Sequence, residues 1–467
     1  MIVPVLNHPP MVKNFAPYFR DIFANEPEFV HFQNYLTGLV VAERKNFSQI
    51  SRCLITGADY TNIDRFMNNP LWDGIKFNTR RVELHYRQTL KVDPRKVAAF
   101  ILDDTLDEHV GSLFEHISRH YDHCNNSYKL ARNPVTSHYQ RGEVSIPVDF
   151  RTYRTYDEAT NWEAHLKQNF PELEIPKKSK ERNKLKQKYE KKLLALDAEF
   201  ARKHEVFKTK IKLAVELVED AIERGLDFEV VLFDAWYLSP ELVEVIERHQ
   251  KAWISQLKSN RKIETRGLKL NDAEGNRIKF EEAEIRVDEL VKLIPKSAYR
   301  KVERGEQASY WAFSLTVQIK TLGKVRLVVS WVDEKCEESY AVLVTRQIHW
   351  EAKRIITTYC ERFSIEVFYK DAKQQLGFSD YQCRSEQTIG KHWYLVFCAY
   401  SLLRLDMLQT PAYQTWQRKL KTISVAVKRQ AQWVIEELIL TSHKILSQAE
   451  NPADLFKFLF GESVYAT

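Results

Sequence analysis

Several protein classes are excluded by what the chain lacks. Its six cysteines (Cys53, Cys124, Cys336, Cys360, Cys383 and Cys398) form no Cys-x-x-Cys pair and show no zinc-like spacing with histidine, which argues against the common zinc and redox frameworks. His109, His116, His120, His123 and His138 are scattered without a ligand pattern. No signal peptide is evident, so reduced thiols in a cytoplasmic protein are expected. The most apolar long run, residues 393–403, is broken off by Arg404 and Asp406 and is too short to span a membrane. It reads as a buried helix. Neither an internal repeat nor a coiled-coil heptad is visible.

What the chain does have is length, aromatics and a basic balance. Its 467 residues, 44% hydrophobic and 12% aromatic, suffice for two to four folded domains with a sizeable core. The net charge of +7 and pI near 8.8 are compatible with a nucleic-acid partner without establishing one.

Residues 1–90 read as helical. Apolar spacing over 32–41, then Phe47, Ile50 and Leu54, a turn at Thr56-Gly57-Ala58-Asp59 and a helix over 61–67 give two short helices across a glycine-containing turn. With Arg80, Arg81 and Arg87 following, this suits a helix-turn-helix-like DNA reader, and equally an ordinary helical bundle. Residues 97–102 form an apolar run that ends in Asp103-Asp104-Thr105, a buried strand delivering carboxylates at its tip. The segment 143–149 reads as a further strand of that sheet. Residues 177–212 are dense in Lys and Arg, with Leu185, Tyr189, Leu193 and Leu196 at helical spacing; a solvated face and a DNA-backbone surface are the two readings. Residues 228–233 repeat the strand design and end in Asp234, before a helix over 242–249 opened by Ser239-Pro240. Residues 252–348 read as successive strands, a β-rich insertion.

The stretch 359–373 carries Tyr359, Arg362, Glu366 and Lys373 at offsets of 0, 3, 7 and 14, within about 60° of one another on one helix. Ile365, Phe368, Ala372 and Leu376 form a separate apolar stripe, and Gly377 is a stop signal. Asp103, Asp234 and Glu366 are separated by 131 and 132 residues. Three carboxylates brought together repel one another unless a cation is present. Oxygen ligands suit Mg²⁺ or Mn²⁺, and a pair of such ions serves in-line phosphodiester displacement.

At these residues the chain resembles the DDE-class transposases of bacterial insertion sequences, in the group whose signature is Tyr-x2-Arg-x3-Glu-x6-Lys. Here that is Tyr359, Arg362, Glu366 and Lys373. Asp-x-Thr (Asp103, Thr105) and Asp-x-x-Tyr (Asp234, Tyr237) also match, and the likeness covers roughly residues 30–405. The resemblance implies an α/β fold: an RNase H-like catalytic domain (91–251 and 349–408, with the Lys-rich segment 177–212), a β-rich insertion (252–348), an N-terminal DNA-binding region (1–90) and a helical C-terminal region (409–467). It implies catalytic, metal-binding acids at Asp103, Asp234 and Glu366, with Asp104 as the alternative to Asp103. It implies DNA contacts from Tyr359, Arg362, Lys373 and Tyr237, with Trp331 as the aromatic that holds a flipped base. Mg²⁺, replaceable by Mn²⁺, double-stranded DNA at the element's ends and target, a homodimer in the synaptic complex, and a cytoplasmic, nucleoid-associated location complete the expectation. A nuclease of the same fold without strand transfer, and a non-catalytic DNA-binding derivative, are the alternatives. Trp416, Arg418, Lys419, Lys421 and Lys428, then an apolar helix over 434–440, suit oligomerisation or DNA contact.

Overall fold

The computed structural model describes residues 4–54, 60–69, 71–122, 125–305, 308–410 and 422–448, with 455 and 459. The expected turn at residues 56–59, Cys124, His123, Trp416, Arg418, Lys419 and Lys421 lie outside these described residues.

Five helices come first: α1 (Pro10–Phe15), α2 (Glu26–Val41), α3 (Phe47–Cys53), α4 (Tyr60–Asn68) and α5 (Gly74–Thr89). Asparagine caps open two of them, Asn25 accepting from Glu28 N and Asn46 from Gln49 N, and so satisfy donors that a helix start leaves free. Strands β1 (Ala99–Asp104), β2 (Asp107–Glu108), β3 (Ser118–Asp122), β4 (Ser127–Arg141) and β5 (Val144–Tyr153) follow. Helices α6 (Tyr156–Thr160), α7 (Trp162–Asn169), α8 (Ser179–Leu196), α9 (Ala198–Val206) and α10 (Lys210–Glu223) lead to β6 (Val230–Phe233), α11 (Pro240–Arg248) and β7 (Ala252–Gln256). The next part is mostly strand: β8 (Lys262–Glu264), β9 (Glu284–Arg286), helix α12 (Val287–Leu293), β10 (Arg300–Arg304), β11 (Ala308–Ile319), β12 (Gly323–Trp331) and β13 (Tyr340–Thr345). Helices α13 (Ala352–Cys360), α14 (Phe363–Gln375), α15 (Glu386–Gln409) and α16 (Ile423–Gln448) end the described chain.

One mixed sheet organises these elements. At its centre β1, β6 and β7 run parallel, β4 pairs antiparallel with the other edge of β1, and β5 pairs antiparallel with β4. Beyond β7 the sheet continues antiparallel through β13, β12 and β11. The expected insertion is therefore β-rich, but it extends the central sheet, and β7, placed within it from sequence, is the third parallel strand. β7 itself stops at Gln256.

Alternation along the strands divides the interior. Ala99, Ile101, Val230 and Leu232 face one core, shared with α1–α5 and α14–α16, while Phe100, Leu102, Val231 and Phe233 face the other, shared with α10, α11 and the strand-rich extension. The described residues of 1–90 are largely helical, as expected, yet their apolar faces join the same core as α15, whose 393–403 stretch is buried throughout, Arg404 just beyond it being half-buried. Two arginines read as a basic DNA-facing patch are otherwise engaged. Arg81 is fully buried and donates to Asn78, the Pro147 and Val148 carbonyls and Ser401; Arg80 pairs with Asp21. Buried guanidinium needs such donors' partners to offset its desolvation. No helix among the described residues is long and apolar enough to cross a membrane.

The α2–α3 packing depends on one small residue. A Cβ at Gly38 would stand 2.4 Å from Ile50 Cγ2 and 2.9 Å from its Cβ, so Gly38→Ala overpacks the contact. It is expected to cost about 1–3 kcal/mol, read as a lowered thermal midpoint with an otherwise native circular dichroism spectrum.

Candidate active site

The two adjacent aspartates at the end of β1 part company because successive side chains leave opposite faces of a strand. Asp103 continues the Ala99/Ile101 side, towards α14; Asp104 continues the Phe100/Leu102 side, towards α10. Asp103 Oδ2 accepts from Arg362 Nη1 at 2.8 Å, and Arg362 Nη2 is bonded to Glu366 Oε1 one helical turn on. Arg362 thus bridges the first and third acids of the expected set. Asp234, at the end of the neighbouring parallel strand β6, follows Phe233 and so falls on the Asp103 side. Its Oδ1 accepts from Trp236 N at 2.9 Å and Tyr237 N at 3.3 Å, turning the chain out of β6 towards α11.

The Asp104 side chain is saturated instead. Tyr237 Oη donates to its Oδ1, and Asn133 Nδ2 and Lys210 Nζ to its Oδ2, each at 2.8 Å. Burial alone would raise this carboxyl, but Lys210 and the three hydrogen bonds hold it below the usual carboxylate range. Asp103 has the opposite fate. Burial, reinforced by the charges of Asp104 and Asp234 and opposed by Arg362, pushes it up to about 7. Burial by itself would lower Arg362, and the surrounding Asp103, Tyr359 and Glu366 raise it above its ordinary value.

The expected helix over 359–373 is divided. α13 ends at Cys360 and α14 starts at Phe363; between them Glu361 N and Arg362 N bond three residues back, to Thr358 O and Tyr359 O, a tightened turn rather than a regular α-helical one. The apolar stripe is as read: Ile365, Phe368, Ala372 and Leu376 are fully buried, and Gly377 adopts φ +69°. Tyr359 is buried, its hydroxyl 3.4 Å from the Phe233 carbonyl. Lys373 Nζ donates to Thr105 Oγ1 and the Leu106 carbonyl, both at 2.7 Å, which ties the end of α14 to the Asp-x-Thr segment. Burial lowers this lysine from its ordinary value.

Two further residues expected at the DNA have these surroundings. Tyr237 is fully buried with its hydroxyl on Asp104, so in this structure it holds an acid; burial, then the neighbouring Asp104 and Asp103 charges, keeps its proton on. Trp331 is half-buried in the sheet extension, 4.7 Å from the Tyr340 ring and 6.4 Å edge-on to Tyr299, in an aromatic cluster. The exposed tryptophan beside the acids is Trp236, 45% exposed, with Lys210 Nζ 5.1 Å from its ring. Neither Trp236 nor Lys210 stood out in sequence. The one is an unmarked position within Asp-x-x-Tyr, and the other is one lysine among many.

The donor chemistry fits a hard divalent cation, since Asp103, Asp234 and Glu366 offer oxygen alone. Among the described residues, however, no three acid, His or Cys side chains stand close enough to share an ion, and Arg362 lies between two of the three. In this arrangement the guanidinium supplies the positive charge that buried carboxylates need.

A raised carboxyl has a consequence for stability. Below about pH 4 Asp103 is protonated whether the chain is folded or not, and nothing is lost. Between the unfolded value near 3.8 and the folded value of about 7 the unfolded chain ionises first, so the folded state loses stability until pH 7 and no further. In the presence of EDTA, Asp103→Asn is expected to stabilise the protein by roughly 2–4 kcal/mol at pH 8, with the gain shrinking towards pH 5. Thermal melts across that range read it directly.

Two protein families match the chain. A model described as a DDE superfamily endonuclease matches residues 19–277, and one described as a transposase DDE domain matches residues 166–402. Asp103 and Asp234 lie within the first match, Asp234 and Glu366 within the second. No curated protein matches the chain. With each of the two matches spanning more than half of its 467 residues, the chain belongs to the DDE superfamily of transposases and endonucleases.

Proposed function

We propose that the chain is a transposase of the Tyr-Arg-Glu-Lys group that binds the ends of a mobile DNA element, cuts phosphodiester bonds there and joins the freed 3′-hydroxyls to target DNA. The observation that carries the reading is the convergence of Asp103, at the tip of β1, with Glu366 through Arg362, while Asp234 ends the adjacent parallel strand on the same face. The strand order β5-β4-β1-β6-β7, with β1, β6 and β7 parallel, supports an RNase H-like core with its acids at the carboxyl ends of neighbouring strands.

Asp103, Asp234 and Glu366 would hold Mg²⁺ or Mn²⁺; when bound, the ions supply charge neutralisation and activate an attacking water or 3′-hydroxyl. The chain's own groups have separate tasks. Arg362 neutralises Asp103 and Glu366 in the free protein, and its planar fork is suited to grip a phosphate once those acids take another cation. Lys373 fixes Thr105 and Leu106 behind β1. Tyr237, Asn133 and Lys210 keep Asp104 charged and occupied, which leaves Asp103 as the acid that is open to exchange partners. Two DNA ends require two such sites, so a homodimer is the expected working form.

Glu366→Gln keeps the side-chain size and removes the charge. With Mg²⁺ and a duplex carrying the ends of the element that encodes the chain, it is expected to lower cleavage by about a hundred- to a thousandfold while gel-shift binding persists. Joined products from the native protein distinguish a transposase from a nuclease that cuts without strand transfer. Binding without cleavage by the native protein under Mg²⁺ and Mn²⁺ alike would overturn the catalytic assignment.

A further inference from the structure

Between β5 and α10 the chain leaves the sheet for some fifty-five residues, 154–209. Helices α6–α9 close around a small core of their own, Trp162, Leu166, Leu193 and Phe200, with Leu185 and Tyr189 half-buried against it. None of the site chemistry uses it. Its outer surface is where the charge of the protein lies: residues 177–192 hold nine basic and two acidic side chains, a net of +7, equal to the net charge of all 467 residues. The rest of the chain sums to zero.

Some of that charge is spent within the insertion. Arg182 pairs with Glu163 and lies 3.7 Å from Asp157; Lys186 lies 3.5 Å from Asp157 and 4.5 Å over the Tyr156 ring. Lys180, Lys184, Lys188 and Lys191 are different. All four are exposed, none forms an ion pair with another described residue, and they fall within about 80° of one another around α8, opposite the packed side chains of Leu185, Tyr189 and Leu193. Glu181, on the flank, is engaged 3.9 Å from Lys178. Like charges three and four residues apart weaken a helix by a few tenths of a kcal/mol per pair, so the stripe costs the fold stability and is offset by no ion pair among the described residues, Lys188 alone lying over a ring, 5.5 Å from that of Tyr189. Its length is about 16 Å, some five base-pair rises of a duplex at about 3.4 Å each.

The insertion is also tethered beside the candidate active site. It departs after Tyr153 and returns at Lys210, whose ammonium lies 5.2 Å from the Tyr153 ring and 2.8 Å from Asp104 Oδ2. Glu158, on α6, takes both Arg154 and His116, fastening the insertion to the loop that follows β2.

We propose that the Lys180–Lys184–Lys188–Lys191 stripe is a docking surface for the phosphate backbone of duplex DNA, an arm that carries the duplex running past the acids. The inference rests on the reading of the chain as an enzyme that cuts DNA, and it adds where, outside the acids, the duplex is held. Phosphate contacts carry no sequence information, so the arm serves element ends and unrelated duplex alike.

The test is the salt dependence of binding by the full chain, followed by fluorescence anisotropy with EDTA present so that no cutting occurs. Each phosphate contact contributes about 0.9 to the slope of log K against log salt concentration. Replacing the four lysines by glutamine is expected to lower that slope by roughly 3–4, equally on an element-end duplex and an unrelated one, while the fourfold arginine variant keeps it. Native circular dichroism and an unchanged or raised thermal midpoint establish that the glutamine variant is folded. A folded glutamine variant with the native slope overturns the inference alone. A loss confined to the element-end duplex also overturns it, since the contact would then be reading sequence. Native protein that neither binds duplex nor cuts it overturns both this inference and the reading beneath it, whereas cutting by the native protein together with a native slope in the glutamine variant overturns this inference and leaves the enzyme reading standing.

Discussion

The pleat of β1 is the constraint on which the site depends. Side chains leave a strand alternately to its two faces, and here each face is covered by a separate core, one under α14 and α15 and the other under α10 and α11. Two neighbouring aspartates are therefore sent into different surroundings by geometry alone. Asp103 meets a helix that brings Arg362 and Glu366, and Asp104 meets Lys210, Tyr237 and Asn133. A shift of one residue in the pairing of β1 with β4 or β6 would exchange the two acids and turn the strand's apolar residues to the wrong cores. The six-residue register with β4 and the parallel register with β6 therefore fix the chemistry as well as the fold.

Electrostatics then separates the two carboxyls further. Asp104 has a full set of donors and a cation, so its charge is settled. Asp103 shares one guanidinium with Glu366 and lies near Asp234, and its burial is not fully offset. A group in that state is stabilised by any added cation, which is the behaviour wanted of a carboxylate that takes up a metal ion. Arg362 makes the free protein tolerable by standing between the acids. On the proposed function the same residue would then be available to the phosphate, so that neutralisation and substrate grip need not be supplied by separate side chains.

Much of this was legible in the sequence, because the signals were local. An apolar run ending in Asp marked β1 and β6, a buried stripe and Gly377 marked α14, and the spacing of Arg362 and Glu366 marked a pair one helical turn apart, of which Arg362 meets Asp103. What was hidden depends on distant residues. The break between α13 and α14 leaves no proline or glycine to announce it. Tyr237 and Arg81 carry polar atoms whose partners lie in other elements, so nothing local separates a buried tyrosine or arginine from one that faces DNA. The assignment of β7 failed for a related reason: whether a strand pairs in parallel with β6 or begins a separate β unit is decided by its neighbours, not by its own apolar pattern. Trp331 and Trp236 differ in burial and in the rings and charges around them, which a single sequence does not reveal.

The claim that the two faces of β1 divide the labour is tested most directly by Mn²⁺ binding, followed by electron paramagnetic resonance on the native protein and on Asp103→Asn and Asp104→Asn, each checked for native circular dichroism. The account predicts that Asp103→Asn abolishes the bound signal and that Asp104→Asn retains it. Loss in Asp104→Asn with retention in Asp103→Asn would place the ion on the α10 face and contradict the account.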